Sequence, residues 1–185
     1  MSQHAFILVD LQNDYFPNGR WPLAGINEAT ANARSALQQA RQRGDLVIHV
    51  RHEFLQENPP FFSPNTEGAQ IHESLQPLAN ETVVLKHYPN AFRETALKAV
   101  LDEHNIQAVT IVGAMSHMCI DATARAAADF EYQTTVIADA CATRDLEFNG
   151  HTVAAADVHA AYMSALAFGY AQVINTQQFL ADEAA

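Results

Sequence analysis

The sequence predicts an α/β protein: a single domain, 1–185, with three layers, in which a six-stranded parallel sheet lies between two layers of helices. Three observations support this fold class. Six short runs rich in Val, Ile and Leu recur along the chain, longer stretches with helical spacing of apolar residues separate them, and the total length suits one domain. Short apolar runs that alternate with helices are typical of strands buried on both faces of a parallel sheet.

The predicted strands and helices alternate along the chain. The six predicted strands are residues 5–10, 46–52, 82–87, 108–113, 134–140 and 171–175. The predicted helices are residues 27–44, 91–105, the run after Cys119, and 152–169, with Gly44 and Gly169 as C-terminal caps. The connection from His52 to Thr82 is far longer than usual, and it contains Pro-flanked phenylalanines. We predict that this connection forms a lid, a pocket wall or a subunit contact.

Composition excludes several classes of partner. The chain carries 10 basic and 21 acidic residues, a net charge of −11, which disfavours binding to nucleic acid or an anionic membrane. The two cysteines are too few for a disulfide framework, and the N-terminal segment resembles neither a signal peptide nor a membrane span. We therefore expect a cytoplasmic protein whose partner is a small-molecule substrate.

Three reactive side chains are predicted at one edge of the sheet. Ligand sites of doubly wound sheets lie beyond the carboxyl ends of the strands. The first predicted strand ends at Asp10, the third reaches Lys86, and the loop after the fourth leads to Cys119. Singly, these residues have ordinary explanations as a turn residue, a solvated amine and a buried thiol. Together, an acid, an amine and a thiol at one edge predict an active site.

Cys119 is predicted to begin a helix with the sequence CIDATARAAADF. The helix dipole and a nearby lysine would favour the thiolate, so we expect the pKa of this thiol to lie below its free value of about 8.5. Asp121 and Arg125, four residues apart, are predicted to form a pair without a chemical role. Cys141 lacks a comparable partner and is predicted to be structural.

Three segments carry a resemblance to a known family. The segments VDLQNDYF at 9–16, LKHYPNAF at 85–92 and GAMSHMCIDATARAA at 113–127 resemble the signature blocks of the isochorismatase-like cysteine hydrolases, in the same order and spacing. The resemblance implies that family's fold, with a six-stranded parallel sheet. It also implies a catalytic triad of Asp10, Lys86 and Cys119, the three residues already selected from the strand ends.

The resemblance further implies a reaction. Asp10 would act as general base and acid, Lys86 would stabilise the thiolate, and Cys119 would attack a carbonyl carbon. The backbone N–H groups of Met115 and Cys119 would form the oxyanion hole, with a cis peptide between Ala114 and Met115. The products would come from hydrolysis of a C–N bond in an amide, ureido compound or lactam, through a thioester intermediate.

Several members of this family bind a metal through an Asp and histidines that follow the second strand. The corresponding segment here, HVRHEFLQENPP, lacks the aspartate–spacer–histidine pattern. His49 and His52 are three apart on a strand and are predicted to face opposite sides of the sheet. We therefore predict no metal and no cofactor, with His49, His52, His72 and His87 acting in packing or hydrogen bonding.

Substrate contacts are predicted by analogy with the family. They are Phe16, Trp21, Tyr88, Phe92 and His117, although each aromatic residue could equally be a core residue and His117 a solvent-facing loop residue. The family also implies a homo-oligomer, for which the alanine-rich segment 152–169 offers a closely packing surface.

Three alternatives to C–N hydrolysis stay open. True isochorismatases cleave a vinyl ether with the aspartate and need no cysteine. A nucleotide-binding module of the Rossmann type is disfavoured, because DLQNDYFPNG follows the first strand where G-x-G-x-x-G is expected. A catalytically silent oligomeric scaffold would not need the acid, amine and thiol. The substrate itself is not specified by the sequence.

Overall fold

A computed structural model describes residues 2–182. The strands and helices are, in chain order, β1 (His4–Val9), α1 (Ile26–Arg43), β2 (Leu46–His52), β3 (Thr82–Lys86), α2 (Leu97–Glu103), β4 (Ala108–Ala114), α3 (Asp121–Asp129), β5 (Gln133–Ala142), β6 (Leu146–Phe148), β7 (His151–Val153), α4 (Ala155–Gly169), β8 (Gln172–Ile174) and α5 (Thr176–Ala181).

The main sheet has six parallel strands in the order β3-β2-β1-β4-β5-β8, which confirms the predicted fold class. The chain builds outward from β1 to β3 on one side and then returns to place β4 on the other side of β1. In open α/β sheets such a reversal marks the ligand-binding crevice, which is expected here between the carboxyl ends of β1 and β4.

Apolar cores cover both faces of the sheet. On one face, Phe6 and Leu8 of β1 pack with Leu37 of α1 and Phe179 of α5. On the other face, the alternate residues Ile7 and Val9 pack with the core side chains of α2, α3 and α4. Successive strand residues point to opposite faces of the sheet, and both faces of β1 are covered. After its first residue, its sequence is therefore continuously apolar rather than alternating between apolar and polar residues.

Two regions differ from the predicted helices. The predicted helix 91–105 begins only at Leu97, because Ala91 N–H donates to Thr123 Oγ1 at 3.1 Å and Glu94 adopts a positive φ of 57°. The predicted helix 152–169 begins at Ala155, because β7 pairs with β6 as an antiparallel hairpin. The turn of this hairpin, Asn149-Gly150, has a positive φ at both residues, as a type I′ turn in a two-residue hairpin loop requires.

The long connection between β2 and β3 packs as a wall beside the loop after β1. Phe62 is fully buried, and its ring lies 4.6 Å from that of Tyr15. The Asp14 carboxylate accepts a hydrogen bond from Phe62 N–H at 2.7 Å. Gly68 approaches the same carboxylate so closely that a Cβ there would overlap it. This segment therefore packs firmly against the loop after β1, and its role as a lid, a pocket wall or a subunit contact stays a prediction.

The exposed surface of α4 is mostly apolar, with Asp157 and Ser164 as its exposed polar residues. Phe168 is 95% exposed and several alanines of the helix are also exposed, a pattern that suits a subunit contact. The homo-oligomer stays a prediction, because one chain does not test it.

Within residues 2–182, no helix is both long and apolar enough to cross a membrane.

A buried carboxylate ties α1, β2 and β3 together. Both oxygens of Glu81 accept hydrogen bonds from Arg41, at 2.7 and 2.8 Å, and His49 Nε2 lies 3.0 Å from one of them. The N–H of Leu78 also donates to this carboxylate at 2.8 Å. Burial alone would raise the pKa of Glu81, but the bonds from Arg41, Leu78 and His49 lower it to about 2.

We expect Glu81→Gln to reduce the free energy of unfolding by about 2 kcal/mol, because hydrogen bonds to a charged group are stronger than those to a neutral amide. The difference from the wild type should be present above pH 4.5 and disappear as the pH falls toward 2, since the depressed pKa means that the carboxylate stabilises only while ionised. Urea unfolding at several pH values measures this. Glu94→Gln, at an exposed position, should change little, and an equal loss there would contradict the assignment.

Candidate active site

The residues predicted from the strand ends come together at the crevice. Asp10 directly follows β1 and adopts a positive φ of 55°. Lys86 is the last residue of β3, and Cys119 lies in the turn that joins β4 to α3. Asp10 and Lys86 are completely buried and Cys119 is 5% exposed. A charged pair and a thiol therefore share one buried compartment.

The Lys86 ammonium is the centre of this group. Its Nζ lies 2.8 Å from Asp10 Oδ2 and 3.2 Å from Cys119 Sγ. Asp10 and Cys119 are themselves neighbours, because their ligand atoms lie within 4.8 Å of each other. The thiol and the carboxylate therefore lie side by side, and the ammonium contacts both.

The backbone before Cys119 has two unusual features. Gly113 has a φ of 137° and passes so close to Val9 that a Cβ would overlap the Val9 carbonyl, so only glycine fits here. The peptide between Ala114 and Met115 is cis, as the family resemblance implied. A π-helical turn then spans Ser116–Ile120, closed by a 3.2 Å bond from Ile120 N–H to the Met115 carbonyl. Such turns are frequent at functional sites.

The expected low pKa of the Cys119 thiol is wrong. Burial, followed by the charge of the Asp10 carboxylate, raises this pKa to about 12, although Lys86 opposes the shift. Cys119 also lies inside the π-helical turn, two residues before α3 begins, rather than at the first residue of that helix. For Lys86, burial lowers the pKa, but Asp10 and Cys119 outweigh it and raise the pKa overall. The resting group is therefore a neutral thiol beside a carboxylate–ammonium pair.

A fourth residue, His52, joins the group and was assigned only a packing or hydrogen-bonding role from the sequence. Its Nδ1 lies 2.8 Å from Lys86 Nζ, and its side chain is buried. His52 is the last residue of β2 and pairs in register with Lys86 of β3. The same strand-end reasoning that selected Asp10 and Lys86 applies to β2 and would have found His52.

Comparison with known proteins identifies the family of this chain. The isochorismatase domain family matches residues 4–178. The chain belongs to the isochorismatase family. It is 46% identical to the isochorismatase family protein YddQ of Bacillus subtilis, over 95% of this chain and 98% of that protein. A solved isochorismatase hydrolase from Oleispira antarctica is 51% identical, with a TM-score of 0.93 and coverage of 96% of both chains.

Relatives in the isochorismatase family include amidohydrolases. Streptothricin hydrolase from Streptomyces noursei is 31% identical over 77% of this chain and 50% of its own length. Maleamate amidohydrolase from Pseudomonas putida is 28% identical over 76% of this chain and 72% of its own length. Three of the four relatives named here carry hydrolase names, and this chain belongs to the same family of hydrolases.

The metal found in some members of the isochorismatase family does not fit this site. Among residues 2–182, one group of three possible ligands is close enough to share an ion: Asp10, His52 and Cys119. The Lys86 ammonium already lies between them, in contact with all three. A metal cation at the same position would be repelled by this charge. His49, His72 and His87 instead hydrogen-bond to Glu81, Ser74 and the Glu53 carbonyl, respectively.

Two predicted substrate contacts of this hydrolase lie in the wall around the loop after β1. Phe16 is 7% exposed and stacks on His72, with ring centres 3.8 Å apart. Trp21 is partly buried and stacks on Phe61 at 4.9 Å. A third, His117, lies in the π-helical turn two residues before Cys119, and its Nδ1 is 2.7 Å from Thr143 Oγ1. These residues lie on segments that flank the crevice.

The two remaining predicted contacts have structural partners. The Tyr88 ring is covered by the Arg93 guanidinium at 3.7 Å. The Phe92 ring packs in the core against Phe130 and Tyr132, at 5.1 and 6.3 Å. Since Tyr132 directly precedes β5, this contact points toward the amino ends of the strands, away from the crevice. The structure thus brings the triad together but does not bring Phe92 to it.

Proposed function

We propose that this isochorismatase-family hydrolase cleaves a C–N bond of a small amide, ureido compound or lactam through an acyl intermediate on Cys119. The observation that carries this proposal is the buried contact of one ammonium, Lys86, with both a carboxylate and a thiol. A buried ion pair is costly unless it is well paired, so a purely structural origin is a poor explanation for placing one against a thiol. The catalytically silent scaffold is disfavoured for the same reason.

The first half of the reaction makes the thioester. Cys119 Sγ attacks the carbonyl carbon while its proton passes to the Asp10 carboxylate. Because the resting thiol has a raised pKa, proton transfer accompanies the attack rather than preceding it. Lys86 stabilises the negative charge that develops on sulfur. The C–N bond then breaks, Asp10 returns the proton to the departing nitrogen, and the acyl group stays on Cys119.

The second half releases the acid. A water molecule attacks the thioester carbonyl while Asp10 takes a proton from it. The C–S bond breaks, and the thiol recovers its proton from Asp10, so that the enzyme returns to its starting state. In both halves, the backbone N–H groups of Met115 and Cys119 would stabilise the oxyanion; Met115 immediately precedes the π-helical turn and Cys119 lies within it.

Vinyl ether hydrolysis is the second candidate function, since the family takes its name from isochorismatase. That reaction would use Asp10 without a nucleophilic thiol. The 3.2 Å contact between Lys86 and Cys119 favours C–N hydrolysis, because a neighbouring ammonium stabilises a thiolate nucleophile, which vinyl ether hydrolysis would not use. The amidohydrolases among the relatives support the same choice.

A cation beside the aromatic wall suggests that the substrate is an anion. Arg144 lies 4.2 Å above the Trp21 ring, and it follows Thr143, the partner of His117. Within residues 2–182 the Arg144 guanidinium forms no ion pair, and its one hydrogen bond, to the Asp145 carbonyl, is 3.4 Å long. In a chain with a net charge of −11, a guanidinium that no carboxylate neutralises is suited to a substrate carboxylate.

We expect Arg144→Gln to raise KM about tenfold or more for amides that bear a carboxylate, because a charge-assisted hydrogen bond is worth roughly 1.4 kcal/mol or more. Neutral amides of the same size should be affected little. Steady-state kinetics with such a matched pair measures the effect. Arg34→Gln, at an exposed position on α1, is the control. Equal losses for the charged and the neutral amide would contradict the assignment.

A substrate panel with a chemical trap tests the proposed function. Small amides, ureido acids and lactams are incubated with the protein, and release of ammonia or acid is measured. Hydroxylamine is then added, because it intercepts a thioester to give a hydroxamate. We expect turnover of at least one C–N substrate and a hydroxamate that increases with hydroxylamine. Acid release with no hydroxamate at any concentration would contradict the acyl-enzyme.

A further inference from the structure

The Lys86 ammonium, with three N–H bonds to donate, contacts three side chains: it hydrogen-bonds to His52 and Cys119 and forms an ion pair with Asp10. Asp10 Oδ2 lies at 2.8 Å, His52 Nδ1 at 2.8 Å and Cys119 Sγ at 3.2 Å. An ammonium has three donors and no acceptor capacity. His52 therefore accepts through an unprotonated Nδ1, and its remaining proton is on Nε2.

The surroundings keep His52 neutral. Burial, followed by the charge of Lys86, lowers the pKa of His52 to about 4, although Asp10 opposes the shift. Nε2 is buried and finds no hydrogen-bond partner among residues 2–182. A neutral acceptor at this position leaves the Lys86 charge available to Asp10 and Cys119. A second carboxylate in place of His52 would compete with both of them for the ammonium.

The position of the His52 ring is fixed from both sides. The Gln12 side chain, fully buried, accepts a hydrogen bond from His52 N–H at 2.7 Å and donates to the His52 carbonyl at 2.8 Å. The ring packs against Phe54 and Phe62, with centres 4.6 and 6.1 Å away. The acceptor atom is thus held in place before any substrate binds.

We infer that His52 is a positioning residue for the nucleophile: by accepting one N–H bond of Lys86, it aims the other two at Asp10 and Cys119. Without this acceptor, the buried ammonium would have one unsatisfied donor and could rotate toward the carboxylate alone. Its hold on the sulfur would weaken, and the thiolate would be harder to form. The inference extends the proposed function, because it assigns His52 to the ionisation of the same thiol.

The test measures the ionisation of Cys119 without any substrate. All variants carry Cys141→Ala, so that Cys119 is the one cysteine left to alkylate. The rate of modification by iodoacetamide is followed from pH 7 to pH 10, where it rises about tenfold per pH unit while the thiol is mostly protonated. We expect His52→Leu to slow alkylation about tenfold at each pH, equivalent to a pKa higher by about one unit. His52→Asn, whose amide oxygen is a neutral acceptor, should stay within about threefold of the unsubstituted protein.

Two comparisons make the result decisive. His49→Asn disturbs an equally buried histidine of the same strand that contacts Glu81 and not Lys86, so its alkylation profile should be unchanged. An unaltered profile in His52→Leu would overturn the inference. If His52→Leu does not fold, as judged by circular dichroism, the Asn variant decides, and a tenfold loss there with intact fold would also overturn it. A failure of the substrate panel would leave the alkylation result unaffected, so the two proposals can fail separately.

Discussion

Replacing Cys119 with alanine is expected to reduce kcat/KM for the best C–N substrate of the panel by a factor of about 10⁴ or more. Removal of the nucleophile abolishes the covalent route and leaves only binding and oxyanion stabilisation. Asp10 and Lys86 would still form their 2.8 Å pair, so the fold should survive. Initial rates of ammonia or acid release, with protein verified as folded by circular dichroism, measure the loss.

Cys141 provides a matched control. It is also buried and free, and burial is the leading cause of its pKa being raised to about 12, but within residues 2–182 it forms no hydrogen bond to an ammonium. Cys141→Ala should therefore keep activity within a few-fold of the wild type. Residual activity above a tenth in the Cys119 variant would refute a thiol mechanism. If that variant also hydrolysed a vinyl ether at the wild-type rate, the isochorismatase alternative would be the better description.

Replacing Lys86 with methionine is expected to lower the free energy of unfolding by about 3 to 5 kcal/mol and to abolish turnover. Asp10 would stay completely buried without its counter-ion, and an uncompensated buried charge is strongly destabilising. Urea unfolding at pH 7 measures the stability, and the substrate panel measures the activity.

The double variant Asp10→Asn with Lys86→Met separates the two effects. Asparagine tolerates the positive φ of residue 10 and carries no charge, so most of the lost stability should return. Activity should not return, because both the base and the ammonium are absent. A double variant as unstable as Lys86→Met alone would indicate that packing of the lysine stem, rather than charge, dominates.

Much of the site could be predicted because a parallel sheet carries its chemistry at strand ends. Asp10 directly follows β1 and Lys86 ends β3, and both strands are clear from their apolar sequences. Cys119 lies in the turn after β4. His52 was missed because its pattern beside His49 suggested a strand face, although it too ends a strand. The hairpin from 146 to 153 was missed for a similar reason: an alanine-rich helical pattern was extended backward across its Asn149-Gly150 turn signal.

By itself, the sequence determined the sheet, the layer arrangement and the three residues of the predicted triad, because hydrophobic periodicity and strand ends are local properties of the chain. The protonation state of the site was decided only by the tertiary structure. Helix position predicted an easily ionised thiol, whereas burial and the neighbouring carboxylate raise its pKa to about 12. Desolvation depends on everything packed around an atom, including His52 from one strand and Asp10 from another, and no local pattern reports that sum.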